Sequence, residues 1–370
     1  MSDIKVPFID LKQRFQEEKK ELMPIIEKVL SKGSLVLTPE LEKFEKKMSK
    51  FTGAKYCIGL NSGTDALMMG LMCAGIKPGD EVITSPISFI ATVGAIAHLG
   101  AKPVFVDTGY DLNINEKNIE QAITKKTKAI VPVHWAGRVA NMNAIMEIAT
   151  KNNVIVVEDS AQSMGSYYNN KHGGTFGHSG CISFHPLKNL NALGDSGMLL
   201  TSDLDVYKKV KLFRNHGLES RDDCIEFGIN SRLDVLNAEV LSYRLDKLHN
   251  IVIKRRENIN LYRKLITAKE VFIPEDKVEQ STSYVMCLAL CEKRDKLKDF
   301  LHNRGIETLV YYGKPLHLQK ATSKFGYKSG DLPVSEKQAQ NVLALPHHQY
   351  ITVSDIEYVT DSINYFYKNL

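Results

Sequence analysis

The chain has 370 residues, 43% of them hydrophobic and 25% charged, with a net charge of +5. That length supports a large core and two or three domains, and the basic residues are too dispersed to form the stripe that nucleic acid binding requires. No apolar run reaches the length of a bilayer span, and the six scattered cysteines lack paired CxxC spacing, so neither a membrane protein nor a metal site is expected.

The start, Met1 to Asp10, lacks the basic and apolar regions of a signal peptide, and reduced cysteines fit a cytoplasmic protein. In chain order, an N-terminal helical segment is followed by a charged amphipathic helix over 40–51 and a strand over 55–60. Helix 64–74, strand 81–85, helix 91–99, strand 103–107, a helix beginning at 118–122, strand 129–133, helix 142–152 and strand 154–158 come next. This alternation predicts an α/β fold with a mostly parallel sheet covered on both faces. Ligands in such sheets bind beyond the carboxyl ends of the strands. After residue 230 the character changes. Residues 233–263 read as one long helix or two in series. Strands over 283–290 and 308–312 and helices over 294–303 and 353–365 then make an α+β layout. A large domain over 1–245 and a smaller one over 246–370 are expected.

Several polar residues fall at the predicted carboxyl edge. Gly59-Leu-Asn-Ser-Gly-Thr-Asp-Ala-Leu is a strand end, a turn and a helix start, with Ser62 and Asp65 in an S-x-x-D capping pattern. Gly63 and Thr64 would present backbone N–H groups there, either as an ordinary cap or as an anion site. Phe89 follows the next strand and serves either the core or the face of a flat ring. His134 and Trp135, on the following edge, read as pocket lining or as structure. Asp159 ends the buried run 154–158, where an unpaired carboxylate is costly, so a cation must meet it: a protonated ring nitrogen, or a lysine or arginine. Lys188 lies on a polar loop between the apolar runs 181–184 and 198–201, after Ser183 and His185 and before the Gly194-Asp-Ser-Gly turn. A presented amine and a presented carboxylate are what pyridoxal phosphate chemistry needs, the amine to hold the cofactor as a Schiff base and the carboxylate to keep its ring nitrogen protonated.

The motifs Val6-Pro-Phe-Ile-Asp-Leu, Asn61-Ser-Gly-Thr-Asp-Ala-Leu, Glu158-Asp-Ser-Ala-Gln, Ser183-Phe-His-Pro-Leu-Lys-Asn-Leu, Arg214-Asn-His-Gly, Asn230-Ser-Arg-Leu-Asp, Pro315-Leu-His-Leu-Gln and Leu345-Pro-His-His arrive in this order over nearly the whole chain. Together they resemble the DegT/StrS sugar aminotransferases, a branch of the fold-type I pyridoxal phosphate enzymes. The resemblance implies a seven-stranded, mostly parallel sheet in the large domain. It also implies that Lys188 bonds pyridoxal 5'-phosphate, Asp159 pairs with the ring nitrogen, Gln162 bonds the ring hydroxyl and Phe89 stacks on the ring. Gly63, Thr64 and Ser183 would hold the phosphate, with Asn230 supplied by a second subunit of a homodimer. Arg232 and His317 would lie near a nucleotide-linked sugar, joining His134 and His185 as candidate substrate residues.

The implied reaction takes an amino group from L-glutamate to a keto sugar, in aminosugar biosynthesis for lipopolysaccharide or another surface polysaccharide. Some members of the family carry histidine at the lysine position and act as dehydratases; Lys188 argues against that branch. The loop Lys188-Asn-Leu-Asn-Ala-Leu-Gly-Asp-Ser-Gly is similar to that of enzymes acting on 3-keto sugars, with Asn191 and Ser196 replacing glycines. A 4-keto sugar and a cofactor-binding regulatory protein without turnover are the alternatives. Trp135-Ala-Gly-Arg, where 3-keto enzymes often have Leu-Tyr-Gly-Gln, points to a substrate outside the usual deoxysugars.

Overall fold

The computed structural model describes residues 4–370. Helices α1 (Leu11–Lys32) and α2 (Pro39–Thr52) lead into the large domain. α2 starts at Pro39, whose fixed φ suits a first helical position, and stops at Gly53 in the left-handed region (φ 78°). Next come β1 (Tyr56–Leu60), α3 (Gly63–Cys73), β2 (Glu81–Thr84), α4 (Ile90–His98), β3 (Lys102–Phe105), the single turn α5 (Ile119–Ala122), β4 (Thr127–Val131), α6 (Met142–Lys151) and β5 (Ile155–Asp159). The hairpin β6 (Tyr167–Tyr168) and β7 (Lys171–His172) precedes β8 (Ser179–Ser183), β9 (Gly197–Thr201) and α7 (Leu204–Phe213).

The large sheet has seven strands in the order β1-β9-β8-β5-β4-β2-β3. Only β9 runs against its neighbours. The strand period of two sorts its side chains cleanly. Ile58, Val82, Val131, Val157, Cys181 and Leu199 point to one face, into a cluster with Leu67 and Leu71 of α3, Ile96 of α4 and Val210 of α7. Cys57, Ile182, Met198 and Leu200 point to the other, against α2 and the long helix α8 (Val235–Leu265). Ile83, Ile130 and Val156 continue that second face toward α6. Helices on both faces bury most strand residues, which explains their near-continuous apolar runs.

The C-terminal part of the chain contains β10 (Val271–Phe272), β11 (Gln280–Ser281), β12 (Cys287–Cys291), α9 (Arg294–Asn303), α10 (Pro333–Asn341), β13 (Val342–Leu345) and α11 (Val353–Lys368). Its sheet runs β10-β12-β13, while β11 pairs with the hairpin of the large domain. α11 opens on a reciprocal capping box between Thr352 and Asp355.

α8 is one continuous helix of 31 residues rather than two in series. Leu241, Leu245 and Leu248 pack in the large-domain core, and Ile259 and Tyr262 in the small-domain core. Residue 245, the expected boundary, lies inside this helix. Segment 308–312 is not a strand; only Leu309 bridges to Ala344. Strand β12 covers the end of the expected strand 283–290, and the residues before it form a wall described below. Among the described residues no helix is long and apolar enough to cross a membrane.

Candidate active site

The cavity of about 340 Å³ at the carboxyl edge of the sheet is lined by three sequence-distant groups: the strand ends and helix starts of the large domain, Phe8 and Ile9 of the N-terminal segment, and Val285, Met286, Tyr311 and Tyr312 of the small domain. Its floor follows from local rules. Ser62 is the N-cap of α3, its hydroxyl accepting from the Asp65 amide at 3.1 Å. As the first residues of that helix, Gly63 and Thr64 have amides with no intrahelical acceptor. β9 begins against this turn: a Cβ at Gly197 would sit 2.2 Å from the Ser62 carbonyl carbon and 2.5 Å from the Gly63 nitrogen, so only glycine fits. Gly63 in turn lies against Ser183 at the end of β8, leaving 2.8 Å between an added Cβ and the Ser183 Cβ.

Asp159 ends β5 and is 5% exposed. Its Oδ2 accepts from the Thr92 hydroxyl at 2.7 Å and its Oδ1 from the Ala161 amide at 3.2 Å. Burial pushes its carboxyl above the ordinary carboxylate range, with those two hydrogen bonds and the charge of Lys188 opposing the shift. Ser88, 2.7 Å from Thr92, extends the chain of hydroxyls. Gln162 is held one turn later, its Oε1 accepting from the Ala136 amide at 2.8 Å. Phe89 caps α4, is 53% exposed as a residue and lines the cavity with its ring 6.1 Å from the Tyr312 ring.

Lys188 reaches the same cavity from the loop between β8 and β9. Its amine is lowered to about 8, because burial disfavours the ammonium form more than Asp159 supports it. Asp159 thus lies near a lysine charge, yet no hydrogen bond or ion pair joins the two among the described residues. His185 and the exposed Asp195 line the same end. Past Phe89 the groove opens into an outer hollow of about 350 Å³ that shares Ser88, Phe89 and Tyr312 and adds Ile90, Lys314, Leu316 and Gln319.

Eight sequence-derived candidates therefore converge on one cavity: Gly63, Thr64, Phe89, Asp159, Gln162, Ser183, His185 and Lys188. Four do not reach it in this chain. His134 is fully buried behind β5, with Nε2 2.9 Å from Glu158 Oε2 and Nδ1 accepting from the Ala140 amide, so it supports the fold rather than lining the pocket. His317 is 1% exposed, bonded to Glu336 at 3.1 Å and packed near Phe105 and Tyr327. Asn230 is exposed on a segment bridged to Asn215, and Arg232 donates to the Asn215 side chain at 3.3 Å.

The loop carrying Trp135 and Arg138 likewise stays out of the cavity. Trp135 packs behind Tyr312 with ring centroids 5.6 Å apart, and Arg138 donates to the Pro274 carbonyl at 2.8 Å beside Asp276. Trp135 and Arg138, which depart from the 3-keto pattern, are therefore not among the cavity-lining residues.

Sequence reasoning missed Thr92, Tyr312, Met286 and the N-terminal Phe8 and Ile9. Thr92 had a usable signal, since it lies three residues after Phe89 and shares its helix face. The other four come from segments far away in sequence.

The residues present fit a cofactor with an anion, a flat ring and a basic ring atom. Open helix amides, an exposed aromatic face, a buried carboxylate without a bonded cation and a neutralisable amine all meet in one cavity.

A family model described as the DegT/DnrJ/EryC1/StrS aminotransferase family matches residues 16–364. The chain is 38% identical over 368 residues to a protein of Geobacillus stearothermophilus named pleiotropic regulatory protein, covering 98% of this chain and 99% of that one. It is 35% identical over 355 residues to the UDP-2-acetamido-2-deoxy-3-oxo-D-glucuronate aminotransferase of Pseudomonas aeruginosa, covering 96% and 98%. Among solved structures, S. venezuelae DesV in complex with a ketimine intermediate aligns with a TM-score of 0.96 at 33% identity over 100% of both chains.

Proposed function

This chain belongs to the DegT/DnrJ/EryC1/StrS aminotransferase family, and we propose that it transfers an amino group from L-glutamate to the 3-keto group of a nucleotide-linked sugar. The observation that carries the reading is the convergence of Lys188 and Asp159, from different segments, on one cavity beside the open start of α3. Pyridoxal 5'-phosphate supplies the electron sink that lets an amino group leave one carbon and join another. Thr92 and the Ala161 amide hold the Asp159 carboxylate, which would pair with the ring nitrogen, while Gln162 and Phe89, lining the same cavity, would contact the ring. The amides of Gly63 and Thr64, with Ser183, would hold the phosphate. Once free, the lowered amine of Lys188 is suited to take up and return a proton near neutral pH.

The 3-keto assignment is supported by the Lys188 loop and by the name of the Pseudomonas aeruginosa relative. A substrate of two parts suits a cavity with an inner and an outer compartment, and Lys314, which lines the outer one, would meet the charged linkage of a nucleotide-linked sugar. We further propose a homodimer in which Asn230 of each copy serves the other copy's site, consistent with its exposure outside its own cavity. The second reading, a cofactor-binding regulator without turnover, draws on the name of the Geobacillus stearothermophilus relative. The convergence of Lys188 and Asp159 on one cavity weighs against it, because binding alone does not need an aimed lysine.

The test is mass spectrometry of products from 3-keto and 4-keto nucleotide sugars supplied with L-glutamate and pyridoxal phosphate. Amination of 3-keto substrates is expected, abolished in Lys188→Ala. Lys314→Gln should raise KM for the sugar severalfold and leave the half-reaction with glutamate unchanged. Turnover of 4-keto substrates alone refutes the regiochemistry, and no conversion of the cofactor by glutamate favours the regulatory reading.

A further inference from the structure

A buried ionic cluster lies behind the loop that carries Lys188. Arg244, on α8, is 5% exposed and directs its guanidinium in two directions. Nε and Nη2 donate to Glu18 Oε2 at 2.9 and 2.6 Å. Nη1 donates to the Asn191 carbonyl at 2.7 Å, to Asn191 Oδ1 at 3.1 Å and to the Ala192 carbonyl at 3.4 Å. Glu18, on α1, is 4% exposed and accepts through its other oxygen from Arg14 Nε at 3.1 Å. Two partners, one 226 residues and the other 53 residues from Arg244 along the chain, thus meet at one planar group.

The place of this contact in the loop matters. The loop closes where the Ala192 amide donates to the Phe184 carbonyl and the Phe184 amide to the Ser196 carbonyl, both at 2.8 Å. Lys188 lies on the closed portion, and Asn191, 2% exposed, lies just inside the closure with its side-chain amide bonded to the Pro186 carbonyl. Arg244 therefore grips the loop at its neck. Through Glu18 it joins that neck to α1, whose leading residues Phe8 and Ile9 line the same cavity as Lys188. Exposed ion pairs would contribute little here, but buried charge-assisted bonds are shorter and stronger, and losing one partner strands the other.

We propose that Glu18, Arg244 and Asn191 form a positioning clamp that sets the Lys188 loop and couples it to the N-terminal segment walling the cavity. The clamp rests on the reading of Lys188 as the reactive amine. Its chemistry requires arginine, because one ammonium cannot donate in parallel to a carboxylate and to three oxygens on the opposite side. Asn191 stands where the similar 3-keto loops carry glycine, so its Oδ1 contact is an addition of this chain, whereas the carbonyl contacts need no side chain.

The holoenzyme is compared as wild type, Arg244→Lys, Glu18→Gln and Asn191→Gly, by glutamate half-reaction kinetics, by the pH midpoint of the cofactor's visible band and by hydrogen exchange of residues 184–196. Displacement of a reacting group by an ångström costs ~10²-fold in rate. Arg244→Lys should therefore lose about ten- to a hundredfold in kcat at nearly constant KM, shift the band midpoint and speed exchange in the loop. Asn191→Gly should lose only a fewfold. If Arg244→Lys fails to fold, Glu18→Gln, which keeps one acceptor, and Asn191→Gly decide the matter by the same measurements. Folded variants with a lower Tm but unchanged kcat, band midpoint and loop exchange overturn the clamp. Absence of a cofactor band in wild type would instead overturn the reading of Lys188.

Discussion

The ionisation of Lys188 gives the most direct test of the site, because it can be measured without substrate. An ordinary lysine titrates at 10.5, and burial lowers Lys188 to about 8. At pH 7 an ordinary lysine is neutral in roughly 3 molecules in 10⁴, and one at about 8 in roughly 1 in 10, an enrichment on the order of 300-fold. The perturbation is Asp159→Asn. The charge of Asp159 raises the Lys188 value against the larger effect of burial, so removing it should carry the midpoint further below 8. The assay treats apoprotein with a small amine-acylating reagent over pH 6 to 11 and follows Lys188 by peptide mass spectrometry, with exposed lysines such as Lys12 as internal references. The rate at Lys188 should level off near pH 9 while the references continue to rise. Linkage fixes a second sign: with the folded value below the unfolded one, the unfolded chain holds the extra proton between about 8 and 10.5. Apoprotein stability from this group therefore increases with pH across that window and is lost as pH falls through about 8. A Lys188 midpoint matching the exposed lysines, or one that rises in Asp159→Asn, would refute the reasoning.

Two further substitutions probe the residues behind the cavity. Thr92→Val keeps the shape but removes the hydroxyl that donates to Asp159 at 2.7 Å; a buried hydrogen bond to a charged group contributes about 1.5–3 kcal/mol, so kcat should fall roughly tenfold and thermal stability should drop measurably by calorimetry. Glu158→Gln places an amide against the Gly174, Phe176 and Gly177 amides, which donate to the carboxylate at 2.8, 2.7 and 2.7 Å, and against His134. Urea unfolding should show a loss of about 3–5 kcal/mol, and a loss below about 1 kcal/mol would mean that the buried carboxylate is not needed there.

Legibility differed by region for physical reasons. The alternating strands and helices between 40 and 201 were readable because each buries a short apolar run bounded by turn residues, and their observed ends differ from expectation by a residue or two. Gly63, Asp159 and Lys188 were readable because a parallel sheet directs strand ends to one edge. His134 and His317 were misplaced because a histidine's neighbours in sequence do not reveal a partner such as Glu158 or Glu336. The expected strand 308–312 failed because an apolar run gives no sign of whether a ladder partner exists; only Leu309 found one.

By itself the sequence determined the order of elements, the sheet class and the placement of Lys188 and Asp159 at the carboxyl edge, since these depend on local periodicity and on residue type at strand ends. Tertiary structure alone decided what closes the cavity and what holds it. Phe8, Met286 and Tyr312 reach the site from both ends of the chain, and Arg244 meets Glu18 and Asn191 across more than 50 residues on one side and 200 on the other. Contacts between such distant segments are set by how helices and sheet pack, and no window of sequence contains them.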